Sequence, residues 1–544
     1  MPKPHALTDL FADIFPEASA IPPDFAAALP CDNQEYLIGG ELRTWNGPKQ
    51  EIHSPIFVRH GHELRPLRIG SCPVLDGETG MLALDAACRA YDNGHGAWPT
   101  MSVAGRINAV EDFARRMVAR REQVVRLMSW EICKSLVDCG KEFDRTMDYI
   151  RDSVEALKQL DRASSGFVME AGILGQIRRS PLGVVLCMGP FNYPLNETFA
   201  TLIPALIMGN TVLMKTPKLG KLLIFPLLEC FCAAFPAGVI NVISGGRDML
   251  APIMASGRVN VLAFIGTSRA ADAMRAQHPK PHRLRCVLGL EAKNAAIVLA
   301  DADLEQAVGE CLRGALAFNG QRCTAIKMIH VARERADEFL ERFCAGVAKL
   351  KVGMPWEPGV DITPLPEPGK VEYLRGLVDD ALAHGATVVN PGGGAMQDTF
   401  FAPAVLYAVD RRMRVYHEEQ FGPVVPVASF ADIEEPLNYV SESSYGQQVS
   451  LFGSDPDQMA ALIDPLVNQV SRVNLNSQCQ RGPDSFPFTG RKDSAEGTLS
   501  VHDALRAFSI RSLVAARDVE ANKAMLTAIL NGRKSTFLST DYIF

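Results

Sequence analysis

The stretch RSPLGVVLCMGPFNYPLNETFATLIPALIMGNTVLMKTPKLG, residues 179–220, predicts a strand, a helix and a second strand. VVLCMG at 184–189 is a short apolar run, as in a strand buried on both faces. The residues from about 195 to 208 follow a helical pattern that Gly209-Asn210 ends, and TVLMK follows at 211–215. A strand, a helix and a strand in this order predict a parallel sheet.

The same alternation continues along the chain. A helical pattern through LLIFPLLECFCAAF leads to the strands GVINVIS and VNVLAFIG. A second series starts near 294 with AAIVLA, passes through a helix that ends near Asn319, and runs past MIHVA to about 508. Residues 80–162 are helical in pattern, and 167–180, with Gly172 and Gly175, predicts a hairpin or an extended arm. We therefore predict an α/β protein with two doubly wound sheets and a β arm.

The bulk properties exclude several classes of protein. At 544 residues the chain exceeds what one hydrophobic core usually supports, and its net charge of −7 comes with no basic stripe, so we expect no nucleic-acid partner. Asp9 and Asp13 interrupt the N-terminal apolar residues, and no later apolar run approaches the ~20 residues that span a bilayer. We expect a cytoplasmic protein without a membrane partner. The thirteen cysteines form no paired CxxC elements, so disulfide scaffolds and zinc ribbons are not expected.

One cysteine lies in a setting that suits a nucleophile. FNGQRCTA at 318–325 places Cys323 in a polar turn after a helical stretch, beside Arg322. A neighbouring cation favours the thiolate, which is the reactive form of cysteine. The alternative is a buried structural cysteine, which is the usual role of an isolated one.

This octapeptide and four further segments in the same order resemble the aldehyde dehydrogenase superfamily, over about residues 30 to 515. The resemblance implies a Rossmann-type cofactor domain, an α/β catalytic domain and a β arm for oligomerisation. Residues 1–166 and 181–292 would form the NADP-binding domain, 293–508 the catalytic domain, 167–180 and 509–520 the arm, and 521–544 a C-terminal tail. The arm suggests a homodimer or homotetramer.

The resemblance also implies the chemistry on Cys323. Asn192, in PFNYP, would donate its amide to the oxygen of the tetrahedral intermediate together with the backbone N–H of Cys323. Read without the resemblance, Asn192 beside Pro194 is a turn residue. No metal is needed for this chemistry.

Six residues match positions that bind a nicotinamide cofactor in the superfamily. Lys215 would bind the adenosine ribose, and Lys218 stands where many NAD-preferring relatives carry a glutamate, so it favours NADP, with NAD as the alternative. In FIGTSRAAD, the phosphate-proximal turn would be formed by Gly266 and Thr267. In HEEQFGPVVPV, Glu419 would bind the nicotinamide ribose and Phe421 would support the ring.

Within the superfamily the chain most resembles the non-phosphorylating glyceraldehyde-3-phosphate dehydrogenases. That subgroup holds the substrate phosphate with three arginines and a tyrosine, and the matching residues here are Arg145, Tyr193, Arg322 and Arg481. Such side chains give charge-assisted, directional contacts to phosphate oxygens. The resemblance thus implies oxidation of a small phosphorylated aldehyde, glyceraldehyde 3-phosphate, to 3-phosphoglycerate through a thiohemiacetal and a thioester on the cysteine.

One segment departs from the superfamily pattern. The glutamate that activates water to hydrolyse the thioester normally begins Glu-Leu-Gly-Gly-Lys, whereas VLGLEAK here has Gly289 in that place and Glu291 two residues later. We predict Glu291 as the general base, reached through a differently shaped loop. Three alternatives stay open: another anionic aldehyde as substrate, transfer of the acyl group to coenzyme A, or a non-catalytic binding protein on this fold.

Overall fold

The computed structural model of the protein describes residues 14–27, 29–61 and 63–542. The positions of Asp9 and Asp13, on which the absence of a signal peptide was argued, lie outside the described residues. So do the first residues of the predicted NADP-binding domain and the last two of the predicted tail.

The strands are β1 (Cys31–Asp32), β2 (Glu35–Ile38), β3 (Glu41–Thr44), β4 (Lys49–His60), β5 (Glu63–Pro73), β6 (Val168–Glu170), β7 (Ile173–Pro181), β8 (Val184–Met188), β9 (Thr211–Lys215), β10 (Ile240–Ile243), β11 (Val261–Ile265), β12 (Arg285–Gly289), β13 (Asn294–Val298), β14 (Ile326–Ala332), β15 (Thr387–Val388), β16 (Met396–Gln397), β17 (Phe400–Phe401), β18 (Ala404–Tyr407), β19 (Val424–Phe430), β20 (Tyr445–Gly446), β21 (Gln448–Phe452), β22 (Arg472–Leu475), β23 (Arg491–Lys492), β24 (Ala495–Glu496) and β25 (Ser509–Arg517).

The helices are α1 (Pro23–Ala26), α2 (Gly77–Tyr91), α3 (Val103–Val118), α4 (Arg121–Ile132), α5 (Leu136–Ala163), α6 (Asn196–Ile207), α7 (Leu228–Ala234), α8 (Arg247–Ala255), α9 (Ser268–Gln277), α10 (Leu304–Leu316), α11 (Ala336–Val347), α12 (Lys370–Ala383), α13 (Arg414–His417), α14 (Glu434–Glu442), α15 (Pro456–Leu466), α16 (Val501–Ala507) and α17 (Glu520–Asn531).

Two large sheets organise the fold, and both are mostly parallel, so the predicted α/β class is confirmed. The first has the order β24-β12-β11-β8-β9-β10-β2-β3, and its central strands from β12 to β10 are parallel. The second has the order β15-β18-β19-β14-β13-β21-β22, with only β15 antiparallel. Apolar strands covered by helices on both faces explain this architecture.

Helix α6, predicted from about 195 to 208, is buried along its whole length. It packs between the first sheet and the long helix α5. Helix α5 begins where the Ser135 hydroxyl accepts the N–H of Asp138 at 3.1 Å, an N-cap that satisfies one free donor of the first turn. Because α6 follows β8 directly, it holds the PFNYP turn at the carboxyl end of that strand.

The helix predicted through LLIFPLLECFCAAF is wrong in its first half. Leu222–Leu227 is a 3-10 helix, and α7 begins only at Leu228. Pro226 lies inside the 3-10 segment and has no N–H to donate to an α-helical ladder.

The predicted hairpin at 167–180 is confirmed. Strands β6 and β7 turn at Ala171 and Gly172, which both have positive φ, and β25 adds to the other side of β7. The resulting three-stranded antiparallel sheet exposes Val168, Met169 and Leu513, each with more than half of its surface accessible.

The boundary predicted at residues 292–293 stays a prediction, and the structure adds one observation to it. Strand β24 pairs with β12 in the first sheet, and α16 packs on α5 and α6. The last residues of the 293–508 segment therefore return to the first sheet. Among the described residues, no helix is both long and apolar enough to cross a membrane.

Candidate active site

A single cavity of about 1100 Å³ opens at the carboxyl ends of strands β8, β9, β11 and β12, where open α/β sheets place their ligands. The second sheet supplies the opposite wall. All the residues predicted for the site line this cavity: Arg145, Asn192, Tyr193, Lys215, Lys218, Gly266, Thr267, Glu291, Arg322, Cys323, Glu419, Phe421 and Arg481. They come from segments more than 300 residues apart, and the fold brings them together.

Cys323 lies in a turn that the neighbouring backbone constrains. Phe318 and Asn319, in the short 3-10 helix before it, have φ of 50° and 55°, a left-handed conformation that non-glycine residues rarely adopt. The Asn319 side chain donates to the carbonyl of Thr363 at 3.0 Å and accepts its N–H at 3.0 Å, which fixes this turn. The carbonyl of Cys323 accepts hydrogen bonds from Asn294 at 2.8 Å and from Lys327 at 3.0 Å.

The pKa of the Cys323 thiol is raised, chiefly by burial and then by the charge of Glu197. Lys327 and Arg481 lower it, and Glu419 raises it. Arg322, predicted to stabilise the thiolate, donates its Nη2 to the carbonyls of Arg313 and Gly314 at 3.0 and 2.7 Å, and its effect on the sulfur stays a prediction. The free protein therefore holds Cys323 mainly as the thiol.

This raised pKa predicts how alkylation of Cys323 depends on pH. Since only the thiolate attacks iodoacetamide, the rate should be low at neutral pH and should still be rising at about pH 9, the ordinary pKa range of a thiol. Peptide mass spectrometry of Cys323 across a pH series measures this rate, with a Cys323→Ala chain as background. A rate that reaches its plateau below about pH 8 would show that the thiol pKa is lowered instead.

A buried ion pair holds the turn that carries Asn192. Lys134 Nζ lies 2.6 Å from Glu142 Oε2 and donates to the carbonyl of Asn192 at 3.0 Å, and it sits 3.3 Å from the centroid of the Tyr193 ring. Glu142 Oε1 accepts the N–H groups of Leu195 and Asn196 at 3.0 and 3.1 Å, at the start of α6. Lys134 and Glu142 were not predicted, because several other charged residues occur in the same stretch and no local pattern distinguishes these two.

Asn192 itself faces the nucleophile loop. Its Nδ2 donates to the carbonyl of Gln321 at 2.7 Å, two residues before Cys323, and its side chain is buried. An amide nitrogen carries two hydrogens, so one remains for an oxygen bound at Cys323.

Two of the four residues predicted to bind the substrate phosphate, Arg145 and Arg481, form a network of alternating charge with two carboxylates. Arg145 holds Asp484 through two hydrogen bonds of 2.8 and 2.7 Å, and Arg481 Nε donates to the same carboxylate at 3.1 Å. Arg481 also pairs with Glu197 through Nη1 and donates Nη2 to the carbonyl of Leu499 at 3.2 Å. Neither carboxylate was predicted; Glu197 is detectable in sequence as a lone acid within the apolar pattern of α6.

The cavity wall on the first sheet carries uncompensated positive charge. Burial, together with the charges of Lys221 and Lys218, lowers the pKa of Lys215 to about 8. Lys215 and Lys218 form no ion pair within the described part of the chain. A bound phosphate group would supply the missing counter-charge, so these residues suit the 2′-phosphate of NADP.

The phosphate-proximal turn lies at the N-terminus of α9. The Thr267 hydroxyl caps this helix by accepting the N–H of Ala270 at 3.3 Å. A Cβ on Gly266 would lie 2.4 Å from the Phe264 ring, which explains the need for glycine.

Two carboxylates predicted to act on cofactor and water are already bound. Glu291 Oε2 accepts the backbone N–H of Ser268 at 2.8 Å, at the first turn of α9. Glu419 pairs with the buried Lys327 and accepts the N–H of Ala292 at 3.1 Å. Gly289 ends β12 and brings no side chain to the wall. No group of three or more metal-ligating side chains occurs among the described residues.

Comparison with known proteins agrees with this geometry. The model of the Aldehyde dehydrogenase family matches residues 68–514. The chain is 32% identical over 477 residues to an NADP-dependent glyceraldehyde-3-phosphate dehydrogenase of Streptococcus equinus, covering 86% of this chain and 95% of that protein. A protein of the same name from Zea mays is 30% identical over 490 residues, covering 88% and 94% of the two chains.

Solved structures give the same result. The NADP-dependent glyceraldehyde-3-phosphate dehydrogenase of Bacillus halodurans, complexed with NADP, superposes with a TM-score of 0.81 at 30% identity, over 90% of this chain and all of that one. Betaine aldehyde dehydrogenase of Staphylococcus aureus, in complex with NAD+, superposes with a TM-score of 0.80 at 25% identity, over 91% and 98% of the chains.

Proposed function

Because the chain belongs to the aldehyde dehydrogenase family, we propose that it oxidises glyceraldehyde 3-phosphate to 3-phosphoglycerate with NADP, without adding phosphate. This proposal rests on one observation. Cys323, Asn192 and the network of Arg145 and Arg481 line the same cavity, and the wall of that cavity on the first sheet carries the positive charges of Lys215 and Lys218. The relatives from Streptococcus and maize are named NADP-dependent glyceraldehyde-3-phosphate dehydrogenases, which supports the substrate and the cofactor.

Different residues of the chain perform different steps of the oxidation. The Cys323 thiol first releases its proton to solvent through the open cavity, and the sulfur then adds to the aldehyde carbon. The developing oxyanion accepts hydrogen bonds from the backbone N–H of Cys323 and from the remaining hydrogen of the Asn192 amide. Lys327 and Asn294 fix the Cys323 carbonyl, which orients the loop for this attack. When bound, NADP supplies the acceptor for the hydride that leaves the thiohemiacetal.

The phosphate of the substrate would lie between Arg145, Tyr193, Arg322 and Arg481. Asp484 accepts hydrogen bonds from both Arg145 and Arg481, and these bonds use Nε and Nη2 of Arg145, which leaves its Nη1 for a phosphate oxygen. The distal end of the cavity thus orients the aldehyde carbon towards Cys323.

A pair of substrates tests the proposed recognition. We expect kcat/KM for glyceraldehyde 3-phosphate to exceed that for unphosphorylated glyceraldehyde by at least about 100-fold, as charge-assisted contacts to one group provide. Equal values would overturn the phosphate assignment and leave an aldehyde dehydrogenase for another substrate. Adding coenzyme A to the same assay identifies an acyl-transfer enzyme if acyl-CoA replaces the free acid.

Lys218 is expected to determine cofactor preference. Lys218→Glu should weaken NADP binding by about 10- to 100-fold, because the new carboxylate repels the 2′-phosphate, and should leave NAD binding unchanged or stronger. Fluorescence titration with each reduced cofactor measures both constants. Lys349→Glu is the matched control, because Lys349 is exposed in the turn that follows α11 and does not line the cavity. Equal losses for NADP and NAD would contradict the assignment.

We also propose that the three-stranded sheet of β6, β7 and β25 joins subunits of a homodimer or homotetramer. Its exposed Val168, Met169 and Leu513 are apolar, and strand edges of this kind pair readily with another chain. Light scattering after gel filtration should show an oligomer, and Leu513→Lys should shift it towards monomer. A monomeric wild-type chain at micromolar concentration would contradict this proposal.

A further inference from the structure

Hydrolysis of the thioester needs a base, and the place of the family's glutamate is taken by Gly289. We propose that Glu197, on the first turn of α6, is the carboxylate that activates water for this step. The proposal rests on the proposed function, since it concerns the release of the acyl group from Cys323.

Glu197 is a buried acid on the wall of the cavity that contains Cys323. Its side chain is 10% exposed, and it follows Asn192 by five residues at the start of α6. Arg481 binds its Oε2, which is the one hydrogen bond that the Glu197 carboxylate accepts among the residues that the structure describes. One oxygen is thus anchored, and the other is left for a water molecule in the cavity.

The other carboxylates on the cavity wall also have partners, but only Glu197 is held by an arginine of the predicted phosphate site. Glu291 accepts the N–H of Ser268 on the cofactor side, and Glu419 pairs with Lys327. Glu418 accepts two hydrogen bonds from Arg414, and Glu367 lies 3.3 Å from Lys370. No histidine lines the cavity among the described residues.

The effect of Glu197 on the pKa of the Cys323 thiol indicates that its carboxylate lies near the sulfur. Among the charged groups that act on the thiol pKa of Cys323, Glu197 has the largest effect. Glu419 has a smaller one, and its carboxylate is held by Lys327. Glu197 and Cys323 line the same cavity, which leaves space for a water molecule between the carboxylate and the acyl carbon.

The proposed step is balanced without any further reactant. The oxygen of water bonds to the thioester carbon, and one of its protons passes to Glu197 Oε1. The C–S bond then breaks, the electron pair leaves on Cys323 as thiolate, and the acid product ionises. The proton on Glu197 is released to solvent through the open cavity.

The decisive experiment compares Glu197→Gln with Glu291→Gln in rapid-mixing assays with glyceraldehyde 3-phosphate and NADP. For Glu197→Gln we expect NADPH equal to one per active site, followed by turnover that is about 10²- to 10⁴-fold slower, the usual contribution of a general base. For Glu291→Gln we expect no such accumulation of acyl-enzyme. The reverse pattern would overturn the proposal in favour of Glu291.

Two controls separate a base from a merely structural acid. Hydroxylamine attacks a thioester without a general base, so it should restore turnover of Glu197→Gln and yield the hydroxamate. Asp484→Asn disturbs the same arginines, and it should raise KM without accumulating acyl-enzyme. If Glu197→Gln binds NADP but forms no NADPH in the first turnover, Glu197 acts in substrate binding or acylation. That result would overturn the proposal.

A readout independent of turnover uses the thiol. Removing the charge of Glu197 should shift the alkylation profile of Cys323 to lower pH, and an unchanged profile would contradict their closeness. If Glu197→Gln does not fold, Glu197→Asp keeps the charge with a shorter reach and should show intermediate deacylation; wild-type turnover in that variant would overturn the proposal. If the wild-type chain forms no NADPH, the proposed function fails, whereas NADPH formation with unimpaired Glu197→Gln removes only this inference.

Discussion

Replacement of Cys323 by alanine is expected to abolish aldehyde oxidation, lowering kcat by at least about 10⁴-fold. The reason is that the hydride leaves only from a carbon that carries the sulfur, and no other side chain in the cavity offers a comparable nucleophile. Stopped-flow measurement of NADPH formation is the test, with cofactor binding measured separately to confirm that the fold is intact.

The matched control is Cys344→Ala. Cys344 is half-buried in α11 and does not line the cavity. We expect it to keep wild-type kcat. Residual activity of Cys323→Ala above about 1% of wild type would show that another group forms the covalent intermediate.

Replacement of Asn192 by alanine is expected to have the second largest effect, a fall in kcat of about 10²- to 10³-fold. The amide donates to the oxyanion only once the tetrahedral carbon forms, so its loss slows acylation and leaves NADP binding unchanged. The same substitution removes the bond to the Gln321 carbonyl, so the melting temperature should also fall slightly.

The rate of the first turnover distinguishes these effects. In Asn192→Ala the single-turnover formation of NADPH should slow as much as kcat does. A normal first turnover with slow steady state would place Asn192 in product release instead and contradict its role at the oxyanion.

The sequence predicted the parts of this fold that local patterns determine. The strand–helix–strand unit at 184–215 and the hairpin at 167–180 were confirmed because apolar runs, glycines and turn residues are local signals. The hairpin of β4 and β5 was not predicted. Its register shifts near His53 break the alternation that marks a strand in sequence.

The site residues that lie within a recognisable sequence motif were predicted. The ion pairs between distant parts of the chain were not. Cys323, Asn192 and the lysines Lys215 and Lys218 were predicted because they lie in segments that resemble those of the family. The pairing of Glu197 with Arg481 joins positions 284 residues apart, and no local pattern shows it. No local pattern shows the hydrogen bond from Arg322 to the carbonyl of Gly314, or the one that Glu291 accepts from the N–H of Ser268 in α9.

The most direct test of the central claim supplies glyceraldehyde 3-phosphate and NADP to the purified chain in a buffer without inorganic phosphate. We expect NADPH and 3-phosphoglycerate in equal amounts, since water and not phosphate releases the acyl group. Failure to form reduced cofactor with either NADP or NAD would contradict it.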